Sequence, residues 1–226
     1  MRSNKFGRTT SHTLHAAALI ALAISSTACA SWSQKQKGAA IGAAAGGAIG
    51  GVIGNNTGST ARGAIIGAAV GGTAGAIIGH QMDQQAKELK VEIPGATVER
   101  VGEGIQVTFA SGLLYDFDSD VIRSSAAENL TNLAASLKKY PTTELLIVGH
   151  TDALGSSAYN QDLATRRATA AAQYLAAQGV GTNRSRISGR GELEPVASNE
   201  TESGRQLNRR IEVAIYANAK ARTASR

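Results

Sequence analysis

The stretch Leu145-Leu146-Ile147-Val148-Gly149-His150-Thr151-Asp152 decides the fold of this chain. Four consecutive apolar residues followed by a glycine predict an apolar strand. Apolar residues at helical spacing follow over about 159–178, and Gly179 marks the end of that helix. Because the end of a strand and the first turns of the next helix can lie at one edge of a sheet, Asp152 and Arg167 can face the same pocket, a few ångströms apart.

These two residues offer opposite charges to a ligand. The carboxylate of Asp152 can accept hydrogen bonds from an ammonium group, and the guanidinium of Arg167 can bind a carboxylate through two parallel hydrogen bonds. Together they suit a zwitterion. Taken singly, Asp152 is equally typical of a helix N-cap or a loop, and Arg167 of a solvated helix face.

Strand and helix patterns alternate on both sides of this stretch. Residues 97–101 and 105–109 are typical of a hairpin, residues 187–191 of a short strand and residues 210–216 of a final strand. A second amphipathic helix ends at Tyr140-Pro141. The predicted fold class is therefore α+β, a two-layer sandwich of two main helices against a mixed sheet of about four main strands.

Ten residues around the predicted site have a specific spacing in the sequence. The set comprises Thr151, Asp152, Leu163, Arg167, Ala168, Gly204, Arg205, Asn208, Arg209 and Arg210. In this spacing it closely resembles the motif of the OmpA-like peptidoglycan-binding domain over roughly residues 98–218, with Ala164 where the family has serine. The resemblance implies the fold of the C-terminal OmpA domain, non-catalytic binding of peptidoglycan and no cofactor.

The resemblance also implies a ligand and the residues that hold it. In the family, the diaminopimelate residue of the peptidoglycan stem peptide lies between the positions that are Asp152 and Arg167 here. The loop with Phe117 and Asp118 completes the family site through its backbone groups. Arg209 is expected to face the pocket.

Neighbouring residues have two interpretations each. Thr151 and Asn160 either reach the ligand or bond to local backbone, as a helix cap does. Arg205 and Arg210 either face the pocket or pair with an acidic side chain such as Glu212. The sequence leaves these alternatives open.

Composition and charge argue against several classes of function. The formal net charge of the 226 residues is +6, but no basic run with interleaved aromatic residues occurs, so nucleic acid is not an expected partner. A mildly basic surface suits an anionic cell-wall polymer or lipid.

His150 has no second histidine or cysteine at ligand spacing, so no metal site is expected. The acidic residues Asp116, Asp118 and Asp120 precede a predicted helix and there complement backbone amides, so no catalytic role is expected.

The N-terminal segment has the layout of a secretory signal peptide, predicted over residues 1–28. Basic residues precede an apolar run and then small residues up to Cys29, the only cysteine. This position resembles the lipobox of bacterial lipoproteins, although Ser26 stands where that motif prefers leucine. The expectation is lipidation of Cys29, a lipidated tether over 29–37 and an outer-membrane location facing the periplasm. The alternative is ordinary cleavage that leaves an unmodified thiol.

Residues 38–79 form a low-complexity segment of glycine, alanine and isoleucine. Glycine recurs at every fourth position on both sides of the polar turn 55–60. Such spacing lines one helix face with glycine and lets a second helix approach closely, so it predicts a glycine-zipper helical hairpin. The segment resembles the one that precedes an OmpA-like domain in lipoproteins of the YiaD type. Three roles stay open, namely a membrane-associated hairpin, a surface for homo-oligomerisation and a flexible spacer.

The predicted organisation continues with a linker over residues 80–97, which begins as a polar helical extension over 80–90, then the OmpA-like domain over 98–218 and a disordered tail over 219–226. Two functions are compatible with it. The first is a lipid-anchored outer-membrane protein whose domain tethers the envelope to the wall. The second is a membrane-inserting or self-assembling zipper protein for which wall binding is only an address.

Overall fold

Five strands form one mixed sheet in the computed structural model, which describes residues 58–70, 76–116 and 118–224. The strands are β1 (Thr97–Val101), β2 (Gly104–Ala110), β3 (Thr143–His150), β4 (Ser185–Gly191) and β5 (Arg210–Ala217). Their order in the sheet is β1-β2-β5-β3-β4. β3 and β4 run parallel, and the other neighbouring pairs are antiparallel.

The strands β3 and β5 lie side by side near the middle of the sheet. Nearly every residue of both strands is buried. Their register pairs His150 with Arg210 and Val148 with Glu212, so polar residues of the two strands meet at one end. Because both strands are buried on both faces, each face of the sheet needs a cover.

Seven α-helices occur in the part of the chain that the structure describes. They are α1 (Thr60–Val70), α2 (Ala76–Glu92), α3 (Ser111–Leu114), α4 (Ala127–Lys139), α5 (Ser157–Ala177), α6 (Glu202–Asn208) and α7 (Ala219–Ala224). The first face of the sheet shares one core with α4 and α5, through residues such as Leu133, Leu175 and Val213. The predicted α+β fold of a mixed sheet and two main helices is confirmed.

The segment predicted as a linker over residues 80–97 is helical over 80–90, as predicted, but it packs into the folded domain. Residues 80–92 belong to α2, which packs into the same core as α4 and α5. The buried apolar residues of the segment 80–97 are Met82, Ala86, Leu89 and Ile93. Their spacing of three or four places them on one helix face, so this segment belongs to the folded domain.

The second half of the glycine segment covers the other face of the sheet. Ile65 in this half is buried against the sheet. Gly104 of β2 permits the close approach, because a Cβ atom there would lie 2.5 Å from Ile65 Cγ2. The residues of this second core are Ala61, Ala64, Ile65, Ala68, Leu146, Val148, Ala214 and Tyr216.

The disordered tail predicted over 219–226 is also corrected. Residues 219–224 form α7, and Ala221 packs against the main core. Arg222 Nη1 donates a hydrogen bond to Ala68 O of α1 at 2.7 Å. The end of the chain therefore contacts the helix that covers the second face.

Several predictions concern parts of the chain outside the described residues. These are the signal peptide 1–28, the lipidation site Cys29, the tether 29–37, the first half of the glycine segment (38–54) and Phe117. Within the described residues, no helix combines the length and the apolar character needed to cross a membrane. Insertion of the glycine segment stays a prediction.

The substitution Leu89→Ala tests the packing of α2. It is expected to lower the free energy of unfolding by about 2–5 kcal/mol, because it removes a fully buried side chain from the main core. Urea unfolding of the full chain, followed by circular dichroism, measures the change. The control is Val91→Ala in the same helix, which should change the free energy by less than about 0.5 kcal/mol because Val91 is 83% exposed. Equal effects of the two substitutions would contradict the packing described.

Candidate ligand-binding site

The carboxylate of Asp152 lies just beyond the end of β3, in the loop that leads to α5. Thr151 N donates a hydrogen bond to Gly191 O at 2.9 Å, which holds this strand end against β4. The Thr151 hydroxyl donates to the carbonyl oxygen of Asp152 at 2.8 Å, so in this structure it bonds to local backbone. Asp152 Oδ1 accepts a hydrogen bond from Leu154 N at 3.0 Å, and the residue is only 7% exposed. The orientation of the carboxylate is therefore fixed.

The other oxygen of this carboxylate binds Arg209. Arg209 Nη1 lies 2.5 Å from Asp152 Oδ2, and Arg209 Nη2 lies 2.6 Å from Glu202 Oε1. Burial lowers the pKa of Arg209, but the hydrogen bonds to Glu202 and Asp152 outweigh it and leave the pKa raised. Arg209 thus bridges two carboxylates, and its contact with a ligand stays a prediction.

Arg205 binds Glu202 from the other side. Arg205 Nη2 lies 2.8 Å from Glu202 Oε2, and Arg205 Nη1 donates to Asn199 O at 2.9 Å. The hydrogen bonds from Arg209 and Arg205 lower the pKa of Glu202. Sequence analysis did not identify Glu202. Its place at the start of α6, three and seven residues before two arginines, was the available signal.

Two asparagines hold the loop before α6 against the end of β3. Asn199 Oδ1 accepts hydrogen bonds from Ala153 N at 3.2 Å and from Asn208 Nδ2 at 2.8 Å. Asn208 Oδ1 in turn accepts from Val196 N at 2.8 Å. Asn208 belongs to the family motif quoted above, and in this structure its side chain bonds only to groups of this loop within the described residues.

Arg167 lies in a different environment, on the buried side of α5. Its Nε donates to Ser119 O at 2.8 Å and its Nη2 to Asp116 O at 3.4 Å. The guanidinium also lies over the ring of Tyr115, 5.3 Å from the centroid. Burial lowers the pKa of Arg167, and the nearby Tyr115 and Asp118 partly oppose that shift. Within the described residues no carboxylate forms an ion pair with this side chain, although it is only 4% exposed.

The loop that holds Arg167 carries another predicted site residue, Asp118. Asp118 has a backbone φ of +55°, which is uncommon outside glycine, and its carboxylate accepts a hydrogen bond from the Tyr159 hydroxyl.

Asn160, in the first turn of α5, donates a hydrogen bond from Nδ2 to Glu192 Oε2 at 2.6 Å. Ser156 is the residue that caps α5, so the alternative of Asn160 as a helix cap is wrong.

Arg210 follows the second of its two interpretations. Its Nε lies 2.7 Å from Glu212 Oε1, and both side chains are almost fully buried on the second face of the sheet. His150 lies beside them, with Nε2 3.8 Å from Glu212 Oε2, and no described residue forms a hydrogen bond with either ring nitrogen. Burial lowers the pKa of His150, and the neighbouring Arg210 and Arg190 lower it further. No cluster of potential metal ligands occurs in the described residues.

The predicted site residues thus fall into two parts. Asp152, Arg209 and Arg205 form a chain of ion pairs with Glu202, whereas Arg167 lies among the carbonyl oxygens of the loop 116–119. No ion pair joins Asp152 to Arg167 within the part of the chain described. A ligand that carries both charges can bind each part with its opposite charge.

Two family models match the chain. The model of the OmpA family matches residues 114–209, and that of the YMGG-like Gly-zipper matches residues 10–83. The first range includes both parts of the site. The second includes the glycine segment and the first turns of α2.

Curated relatives and solved structures agree with these models. Probable lipoprotein YiaD of Escherichia coli (strain K12) is 35% identical over 60% of this chain and 63% of the relative. The peptidoglycan-associated lipoprotein of Brucella melitensis is 35% identical over 51% of this chain and 69% of the relative. The structure of the cell wall anchor of the T6SS from Pseudomonas aeruginosa matches 61% of this chain and 97% of that chain, with 28% identity and a TM-score of 0.52. The chain spans between 31% and 63% of the length of the first curated relatives it matches.

The substitution His150→Gln tests the burial of an uncharged histidine between β3 and α1. Because the folded state lowers the pKa of His150, unfolding takes up a proton below the ordinary pKa of about 6.5, and stability falls as the pH drops from 7 towards 5. His150→Gln should make this fall shallower in urea unfolding at several pH values. The control is His80→Gln, since His80 is exposed. A wild-type slope in His150→Gln would contradict the assignment.

Proposed function

Because the chain belongs to the OmpA family, we propose that it is a non-catalytic outer-membrane lipoprotein that binds peptidoglycan and tethers the envelope to the cell wall. The names of its relatives support an association with the cell wall. One is a peptidoglycan-associated lipoprotein, and a protein of the same fold is a cell wall anchor. The identity of the ligand and the mode of membrane attachment are argued from the residues of this chain.

The observation that carries the proposal is the state of Arg167. Its guanidinium is buried, and Nε and Nη2 donate to carbonyl oxygens, while Nη1 has no partner among the described residues. Burial of a cation without a counter-ion is unfavourable. A ligand carboxylate would supply that counter-ion and accept a charge-assisted hydrogen bond from Nη1.

The ligand that fits both parts of the site is the diaminopimelate of the stem peptide. Its free end carries an ammonium and a carboxylate on the same carbon. Arg167 binds the carboxylate and Asp152 accepts from the ammonium. A carboxylate has about four acceptor sites, and Asp152 uses two of them, for Leu154 N and Arg209, in this structure. The ammonium can therefore bind without displacing Arg209.

A single contact of this kind is weak. Charge-assisted hydrogen bonds contribute about 1.5–3 kcal/mol each, and the loss of translational and rotational freedom offsets much of this. A protein that is held beside a dense polymer binds it at a high effective concentration, so weak contacts suffice for a tether.

The proposal also includes membrane attachment through acyl chains on Cys29. It rests on the signal-peptide pattern and the position of the only cysteine. In cells that process lipoproteins, the chain is expected to fractionate with outer membranes and to carry acyl chains detectable by mass spectrometry of its N-terminal peptide. Cys29→Ser should release it into the periplasmic fraction. An unacylated Cys29 in the membrane-bound wild type would contradict the lipid anchor.

Sedimentation of the detergent-solubilised full chain with purified diaminopimelate-type sacculi tests wall binding. Asp152→Ala and Arg167→Lys should each lower the sedimented fraction, because the first removes the acceptor and the second removes the fork that binds a carboxylate. The matched controls are Asp162→Ala and Arg166→Lys, two exposed residues of α5 that pair with each other. Circular dichroism verifies that each variant is folded.

The controls and a second polymer decide between specific and general attraction. Sacculi with lysine in place of diaminopimelate lack the carboxylate that Arg167 would bind, so the wild type should sediment with them less. If all variants sediment alike, or if both kinds of sacculi bind equally, the proposed site is wrong.

A further inference from the structure

The N-terminus of α1 is fixed to the domain by buried polar groups. Thr60 N donates to Glu194 Oε2 at 3.0 Å, and the Thr60 hydroxyl donates to Glu194 Oε1 at 2.5 Å. The same hydroxyl accepts a hydrogen bond from Arg190 Nε at 2.7 Å. Ser59 Oγ caps the helix by accepting from Arg62 N and donates to Glu212 Oε2 at 2.7 Å. A carboxylate at this position also complements the helix dipole.

The partners of Thr60 belong to residues 190–194, here termed the hub segment. Arg190 Nε and Glu194 Oε1 lie 3.3 Å apart, so Thr60 joins an ion pair within the hub segment. Arg210 Nη2 donates to Glu194 O at 3.1 Å. Burial lowers the pKa of Arg190, and Glu194 partly opposes that shift. The hub segment is thus fixed on one side by α1 and β5.

On its other side the hub segment supports the ligand site. Gly191 O accepts the hydrogen bond from Thr151 N at 2.9 Å. Glu192 accepts from Asn160 Nδ2 at 2.6 Å and from Ser157 Oγ at 2.5 Å. Gly191 has a φ of +51°, and a Cβ atom there would lie 3.0 Å from Gln161 N. A shift of the hub segment would therefore move the loop of Asp152, the first turn of α5 or both.

We propose that Thr60 is a positioning residue for the ligand site and that docking of α1 is coupled to binding of the stem peptide. This inference rests on the proposed function. Docked α1 holds the hub segment, which holds Thr151 and Asn160 in the geometry that binds. By linkage, ligand binding favours the docked helix by the same factor. Because α1 is itself part of the glycine segment, the docking of that segment affects the affinity for the wall.

Calorimetric titration of the detergent-solubilised full chain with diaminopimelate tests the coupling. Thr60→Val keeps the shape of the side chain and removes the hydroxyl, and it should weaken binding by about fivefold or more. Thr60→Ser keeps the hydroxyl and should bind like the wild type. The control Thr169→Val removes a hydroxyl that bonds within α5, to Thr165 O, and should also bind like the wild type.

Hydrogen exchange gives a readout that a merely structural role of Thr60 would not change. Diaminopimelate should slow amide exchange over residues 61–70 in the wild type and leave it unchanged in Asp152→Ala. Wild-type affinity in Thr60→Val, or ligand binding without slower exchange in α1, would overturn the coupling and leave the proposed function intact. If the wild type binds neither diaminopimelate nor sacculi, the proposed function fails and the coupling fails with it.

Discussion

The pairing of β3 with β5 is the constraint on which the rest of this structure depends. Both strands are buried on both faces, so each face of the sheet must be covered. The helices α2, α4 and α5 cover one face and α1 covers the other. The same pairing builds half of the ligand site. Asp152 follows β3 and Arg209 precedes β5, and antiparallel neighbours bring the end of one strand beside the start of the other.

The pairing also brings polar groups, two of them charged, into the interior. His150 and Arg210 face each other across the two strands, and Glu212 lies two residues further along β5. Buried charges are unfavourable unless they are paired and hydrogen-bonded. Arg210 pairs with Glu212, and Ser59 donates the further hydrogen bond that the carboxylate accepts. The start of α1 thus completes a polar cluster, while its alanine and isoleucine residues complete an apolar one.

Much of this arrangement could be predicted from the sequence, because it depends on local patterns. The apolar run 145–148 predicted the strand β3, and Pro141 and Gly179 predicted where α4 and α5 end. The helical character of α1 and α2 was predicted, but their packing onto the sheet was missed, for a different reason. α1 lies in a low-complexity segment that also fits a glycine zipper, and α2 carries a largely polar surface, so the partner of each helix was not visible in its own residues. Glu202 was missed since its role depends on the turn that brings α6 beside Asp152.

A crystal structure of the domain with diaminopimelate bound tests the proposed binding mode most directly. We expect one ligand between the two parts of the site. Its ammonium should bond to the Asp152 carboxylate, and the carboxylate on the same carbon should bond to the Arg167 guanidinium. A ligand bound through exposed basic residues such as Arg166, with Arg167 still bonded only to the loop 116–119, would contradict it.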